Sequence, residues 1–310
     1  TPTNGALTLI SFNDGGRASG THVWITWLAR GSASNALVTI YFSPQGGASN
    51  TWVELASGVE ASLGYWIWDS TLADQTVQGV LWIEGSDGSW DEGDSYFSVR
   101  NQPFHFFVND TDTNLVNDVY CTAPGNNANS GLTNSAPMAD LNALLAKYDL
   151  EGGDIVFVDS GDYRTVAPWR ITQADSAGTL ATNPVVIQGS TNAFPSGTVL
   201  FRSRNPTGIQ VDYAVGLQLR NITVSNTLGT AVSINNSLGV EAEWLAVGQA
   251  TTAFQLYGGS RLRVAHCAVY DTENGIDVGR FDRTLTGMVY PVLEHNVLWN
   301  LAGYGGQVGG

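Results

Sequence analysis

The sequence predicts an all-β chain, an N-terminal β-sandwich followed by a parallel β-helix, and three observations carry that prediction. A short pattern returns four times between Gly208 and Asn300 at nearly fixed spacing. Apolar and polar residues alternate over runs of four to six positions, the period of strands and not of helices. Charged residues are only 13% of the chain while hydrophobic content stays at 43% and glycines number 36. That mixture belongs to a turn-rich folded protein rather than a disordered one.

The repeats set the architecture. Ile209, Val232, Phe254 and Ile276 open successive copies at steps of 23, 22 and 22 residues, the period of stacked supersecondary units. A unit this short cannot bury its own apolar face, so each copy must stack on the next. The spacing predicts one interior column of Ile209, Val232, Phe254 and Ile276 and a second of Val224, Val247, Val269 and Leu298. Asn226, Gln249, Asp271 and Asn300 fall at one turn position, where side-chain amides can bond along the stack. Regular repeats cover 208–302, and Gly305 to Val308 begins a further, incomplete one.

Residues 1–102 read as the sandwich. Strands are expected at 7–12, 22–28, 36–42, 51–55, 65–68, 77–83 and 96–99, separated by turn clusters such as Asn13-Asp14-Gly15-Gly16. That spacing suits an immunoglobulin or fibronectin-III module. No cysteine pair joins the sheets, so Trp24, Trp27, Trp52, Trp66, Trp68 and Trp82 are expected to supply the packing. Trp66 and Trp68 share one strand face and offer the alternative of a sugar-stacking platform.

The phrases Tyr41-Phe42-Ser43, Trp52-Val53-Glu54-Leu55-Ala56, Trp68-Asp69-Ser70-Thr71, Gly85-Ser86-Asp87-Gly88 and Phe97-Ser98-Val99 resemble the immunoglobulin-like repeats of bacterial secreted proteins. The resemblance implies a spacer or adhesive module outside the cell. Residues 103–118 read as an Asx-rich linker. Within it Asp110, Asp112 and Asn114 have the first spacings of a calcium loop, but Leu115 stands where glycine is wanted and Cys121 where a bidentate Glu belongs. Ca2+ at this junction is therefore a weak expectation, and no other cofactor is expected.

The second unit is expected to span 119–310. Val119-Tyr120, Gly125-Asn126-Asn127-Ala128-Asn129-Ser130-Gly131, Ala136-Pro137-Met138, Gly152-Gly153-Asp154-Ile155-Val156-Phe157-Val158 and Gly161-Asp162-Tyr163 follow in order. They resemble the entry segment of secreted right-handed parallel β-helix proteins. The resemblance implies that fold and an extracellular setting, but no activity, because lyases, hydrolases, epimerases and adhesins share it. Met138, Leu141, Leu144, Leu145 and Tyr148 recur at helical spacing, and Gly152-Gly153 stops the run. A capping helix over 137–149 is expected to cover the first strand edges.

Charge narrows the partners. The net charge is −15 with one lysine, Lys147, and twelve arginines, so nothing neutralises a row of phosphates, and neither nucleic acid nor an anionic membrane is an expected partner. No run of 18 apolar residues occurs, so membrane insertion is not expected either. Cys121 and Cys267 show no metal spacing and read as buried thiols or, less favoured, a disulfide. Two sequons, at Asn109 and Asn221, matter only where the source glycosylates them.

Catalytic residues do not assemble. A polysaccharide lyase needs a base and a cation, yet the single lysine sits on the predicted cap helix. Arg220 and Glu243 in consecutive repeats read as a surface ion pair, with Glu294 two repeats further on. His266 and His295 occupy equivalent positions below Asn221 and Trp244, read as one repeated bend or as a base or ligand pair. Asp271, Glu273, Asp277 and Asp282 offer carboxylates without the pattern of the pectin hydrolases.

The first binding candidate is an insertion after Val278, where Arg280, Phe281, Asp282 and Arg283 concentrate two arginines in an arginine-poor chain. The same residues read as a clasp in which an arginine pairs with Asp282 or Asp277. His295 completes the candidate set. The leading expectation is a non-catalytic, secreted or cell-surface structural or adhesive protein, a fibre component contacting polysaccharide or other subunits through its open last repeat. A β-helix polysaccharide lyase or glycosidase, or a phage-type receptor-binding spike, are the alternatives.

Overall fold

The computed structural model describes residues 7–176, 183–192, 197–202, 205–279, 291–303 and 305–308. They fall into two compact units, up to Gln102 and from Pro103 onward. Both are built of strands.

In the first unit, strands Leu7–Leu9, Val23–Ala29 and Tyr65–Trp68 form an antiparallel sheet. A second sheet is ordered Arg17–Ala18, Phe97–Val99, Thr76–Gly85, Leu37–Ser43, Val53–Glu60, with Trp90–Glu92 also on Thr76–Gly85. Two strands thus lie outside the expected seven, at Arg17–Ala18 and Trp90–Glu92. Alternation sends Leu7, Leu9, Ile25 and Trp27 from the first sheet and Ile40, Phe42, Ile83 and Phe97 from the second into one shared core. Trp68, 3% exposed, packs against Phe42 with ring centroids 5.0 Å apart, and the Trp27 indole donates to Ala61 O at 2.9 Å. Trp66 also packs against this core. The aromatic pair open to solvent is instead Trp24, 54% exposed, beside Tyr65.

The second unit holds parallel sheets. One runs in the order His105–Val108, Ile155–Val158, Val185–Gly189, Val215–Arg220, Leu238–Glu243, Arg263–Ala265, Val292–Glu294. The other carries Thr207–Asp212, Thr230–Asn235 and the long strands Ala246–Tyr257 and Ala268–Val278, flanked by shorter pieces. The registers reproduce the repeat: Ile209 pairs with Val232, Val232 with Phe254 and Phe254 with Ile276. Val224 pairs with Val247, Val247 with Val269 and Val269 with Leu298. Ile209, Val232 and Phe254 are fully buried, and each contributes about 1.5–3 kcal/mol of burial. Small residues open each copy because room is short: a Cβ on Gly208 would lie 2.5 Å from Ala231 O.

Two expected boundaries move. The stretch expected as a linker, 103–118, contains the first parallel strand, His105–Val108, whose Phe106 and Val108 are fully buried against Ile155–Val158. The helix expected over 137–149 is Leu141–Leu145. It cannot start earlier because the backbone before it is already paired: Met138 N donates to Phe107 O and Asn109 N to Met138 O. Asp140 caps it by accepting from Asn142 N at 2.7 Å. The apolar positions of the longer expectation, Met138, Leu141, Leu144, Leu145 and Tyr148, are all buried.

Candidate functional site

Each repeat turns at corners that hold one residue in the left-handed region. Asn221, Trp244, His266 and His295 share one corner at φ 53–56°, and Asn226, Gln249, Asp271 and Asn300 share another at φ 52–58°. Left-handed backbone is strained for most side chains and easiest for Asn, Asp and Gly, which accounts for much of the polar composition of both columns. Stacking follows from the shared geometry. Trp244 and His266 lie 4.6 Å apart and 8° from parallel, and His266 and His295 4.8 Å apart and 9° from parallel. Both faces of the His266 ring are therefore covered by its neighbours' rings.

Beside it runs a ladder of opposite charges. Glu243 faces Arg220 Nε at 3.3 Å and also binds Arg263, whose guanidinium reaches Glu294 Oε1 at 2.6 Å. The Arg263 hydrogen bond, ahead of its charge, holds the Glu294 carboxyl below the usual range, while the same partners raise Arg263 further. Arg263 is the member that sequence reasoning missed. Its register partner is Glu241, so its contacts with Glu243 and Glu294 are diagonal. Each of these four groups thus has an opposite charge beside it.

A concave feature of this unit lies at the other corner. Residues 226–228, 249–251, 271–273 and 300–302 line a groove of about 620 Å³. The middle residues Thr227, Ala250 and Thr272 are buried, at 4%, 7% and 2% exposure, and form its floor. One wall carries Asn226, Gln249, Asp271 and Asn300, with Asn300 Nδ2 donating to Asp271 Oδ1. The opposite wall includes Thr251, whose hydroxyl donates to Leu228 O at 2.7 Å, and Glu273. The hydroxyls of Thr227 and Thr272 are buried with no hydrogen-bond partner among the described residues. Leaving such a group unpaired costs about 1–3 kcal/mol. Nothing in the sequence marks these two threonines apart from other turn residues.

Of the candidate binding residues, Arg280, Phe281, Asp282 and Arg283 lie outside the described residues. His295 is described and is exposed at the end of the ring stack. Near the expected calcium loop the acidic oxygens serve the backbone. Asp110 Oδ1 accepts from Asp112 N, Asp112 Oδ1 from Asn114 N, and Asn114 Oδ1 from Val116 N, a run of successive Asx turns. Asp159, fully buried, accepts from the backbone N–H of Val119, Tyr120, Cys121 and Ser160 at 2.5–2.8 Å. Among the described residues no three His, Cys, Asp or Glu side chains converge as a metal site. The Asn109 amide is buried and donates to Asp118 and Ala123 O, so the folded chain does not present that sequon.

Cys121 and Cys267 are free thiols. Burial, reinforced by Asp159, pushes the Cys121 thiol far up, and burial pushes Cys267 up to about 12, so neither supplies a thiolate nucleophile. Among the described residues no helix is long and apolar enough to cross a membrane. No protein-family model matches the chain, and neither a curated protein nor a solved structure matches it.

Proposed function

We propose that the chain is a non-catalytic structural or adhesive protein of the cell exterior. In this reading an immunoglobulin-like sandwich precedes a right-handed parallel β-helix whose first turn is closed by the helix Leu141–Leu145, and the helix stack contacts glycans or other subunits. The observation that carries the reading is the pairing of the charged groups around the histidine column and at Asp277. Arg220, Glu243, Arg263 and Glu294 pair with one another, His266 is stacked between Trp244 and His295, and Asp277 is bonded by the Tyr257 hydroxyl at 3.0 Å. A lyase or glycosidase needs such groups free to move protons or hold developing charge.

Self-association is part of the proposal. Leu293 and Val297, 42% and 60% exposed, pair in register with Val264 and Ala268, which are buried. An added parallel strand from a second copy would cover that apolar edge. One experiment addresses both parts. The protein is followed by fractionation of its natural source, and the purified material is incubated with soluble polysaccharides. Recovery from the medium or cell surface, in assemblies, with no new reducing ends or unsaturated products, is expected. Recovery inside the cell, or product release, overturns the reading.

A further inference from the structure

We infer that a cleft between the two sheets of the first unit docks an extended peptide segment of a partner protein, apolar at alternate positions and basic at its ends, which adds a strand to the edge of Tyr65–Trp68. The site belongs to the first unit and goes beyond the glycan and subunit contacts proposed above.

The two sheets do not match in width. Three strands face a path of five, so the smaller sheet ends at Tyr65–Trp68 while the larger continues to Val53–Glu60. The registers locate where cover runs out. Phe42 is 2% exposed, but Val53, its partner on the edge strand and so on the same face, is 55% exposed. In the smaller sheet Ile25 is fully buried and its edge-strand partner Trp66 only half-buried. The two edges border a cleft of about 510 Å³, within the range of ligand sites. Buried Phe42 and Trp68 and half-buried Leu55 and Trp66 line it.

The backbone says what would fill it. Among the described residues Tyr65–Trp68 pairs only with Val23–Ala29, and Val53–Glu60 only with Leu37–Ser43. The second edge is guarded, because it carries Glu54 and Glu60 and its register shifts on either side of Ile40. The first is not. Tyr65-Trp66-Ile67-Trp68 holds no charge, no proline and no register shift, and its residues favour strands. Its outward amides and carbonyls recur at strand spacing, which another strand matches and a helix does not. A strand laid there turns every second side chain into the cleft, over Trp66 and Leu55.

Charge selects between a foreign segment and a second copy. Glu54, Asp69 and Asp74 line the cleft, no Lys, Arg or His does, and Asp69 stands directly after the open strand. A second copy would bring the same carboxylates and a chain of net charge −15 against them. A segment with lysine or arginine at its ends meets them with the opposite sign.

The test is fluorescence anisotropy of a labelled synthetic peptide, lysine at both ends and valine alternating with threonine between them, titrated with the full chain. The peptide should bind. Its N-methylated form, which keeps the side chains and loses the backbone donors, should bind at least about tenfold more weakly, as should a form ending in glutamate. Val53→Lys with Leu72→Lys changes two exposed cleft residues and should weaken binding about tenfold with the melting temperature unchanged. Ile10→Lys with Leu37→Lys, the same change of charge at exposed positions outside the cleft, should leave binding within about twofold. No binding by the lysine-ended peptide, equal binding by its N-methylated form, or an equal loss in both variants overturns the inference. A dimer of the chain alone, seen by light scattering and broken by Val53→Lys with Leu72→Lys, also overturns it and gives the cleft to a second copy.

Discussion

The imidazoles of His266 and His295 lie face to face, 4.8 Å between centroids and 9° from parallel, because both residues occupy the same left-handed corner at φ 54° and 53°. Their alignment is inherited from the backbone. A corner fixed in successive repeats delivers every side chain it carries to the same place, one strand spacing further along. A histidine pair arising this way needs no shared ligand to explain it, and Trp244 extends the stack without any acid-base chemistry.

That account predicts which substitutions the corner accepts. His266→Asn suits a positive φ and should change stability by less than about 0.5 kcal/mol. His266→Val places a branched Cβ in the left-handed region and should cost about 1–2 kcal/mol. Urea denaturation of the two variants checks the ordering. Equal cost for both would mean that the rings, and not the corner, set the stability at this position.

What the sequence made legible follows from locality. Ile209, Val232 and Phe254 could be placed because alternation fixes the buried face and the period fixes the neighbour, and their pairing agrees. The polar columns were visible for the same reason, since Asn226 to Asn300 is a turn position counted along the repeat. The strand His105–Val108 was not, because its partner Ile155–Val158 lies 50 residues on, outside any repeat. Arg263 escaped because register aligns Glu243 with Ala265, and only a long side chain reaching diagonally brings the arginine to it. The groove was hidden for a third reason. Thr227 and Thr272 are ordinary turn residues until the fold buries their hydroxyls without a partner among the described residues.

Two carboxylates should respond to acid in opposite senses. Burial pushes the half-buried Asp118 above the ordinary 3.8, outweighing its hydrogen bond from Asn109, and the charges of Asp159, Asp110 and Asp112 push the same way. A raised folded pKa favours the folded state fully below the unfolded value, and that support is lost as pH rises through the folded value. Ionised Asp118 therefore weakens the fold at neutral pH. Asp118→Asn should raise the urea midpoint at pH 7, with the gain fading below the ordinary value. Glu294 is held below its ordinary 4.5 by Arg263, so its support is present above that value and lost as pH falls through the lowered one. Glu294→Gln should lower the midpoint slightly at pH 7 and have no effect in acid. Midpoints across a pH series decide the matter, and parallel curves for wild type and Asp118→Asn would contradict the assignment.

Arg202 provides the sharpest test of how the early, irregular part of the second unit holds together. It is 1% exposed, and among the described residues its guanidinium meets no carboxylate. Instead it donates to Thr207 O at 2.7 Å, Ala167 O at 2.8 Å, Val166 O at 3.2 Å, Thr165 Oγ1 at 2.8 Å and Thr165 O. One side chain thereby ties the backbone of 165–167 to the start of Thr207–Asp212, where the regular repeats begin. Arg202→Ala would leave several carbonyls without donors and should cost about 3–5 kcal/mol. Arg202→Lys keeps the charge but offers one nitrogen in place of a planar fork, so it should recover only part of that loss. Denaturation read by far-ultraviolet circular dichroism should show the second unit melting earlier while the transition of the first stays in place. A lysine variant as stable as wild type would mean that charge alone, and not the geometry of the fork, secures this junction.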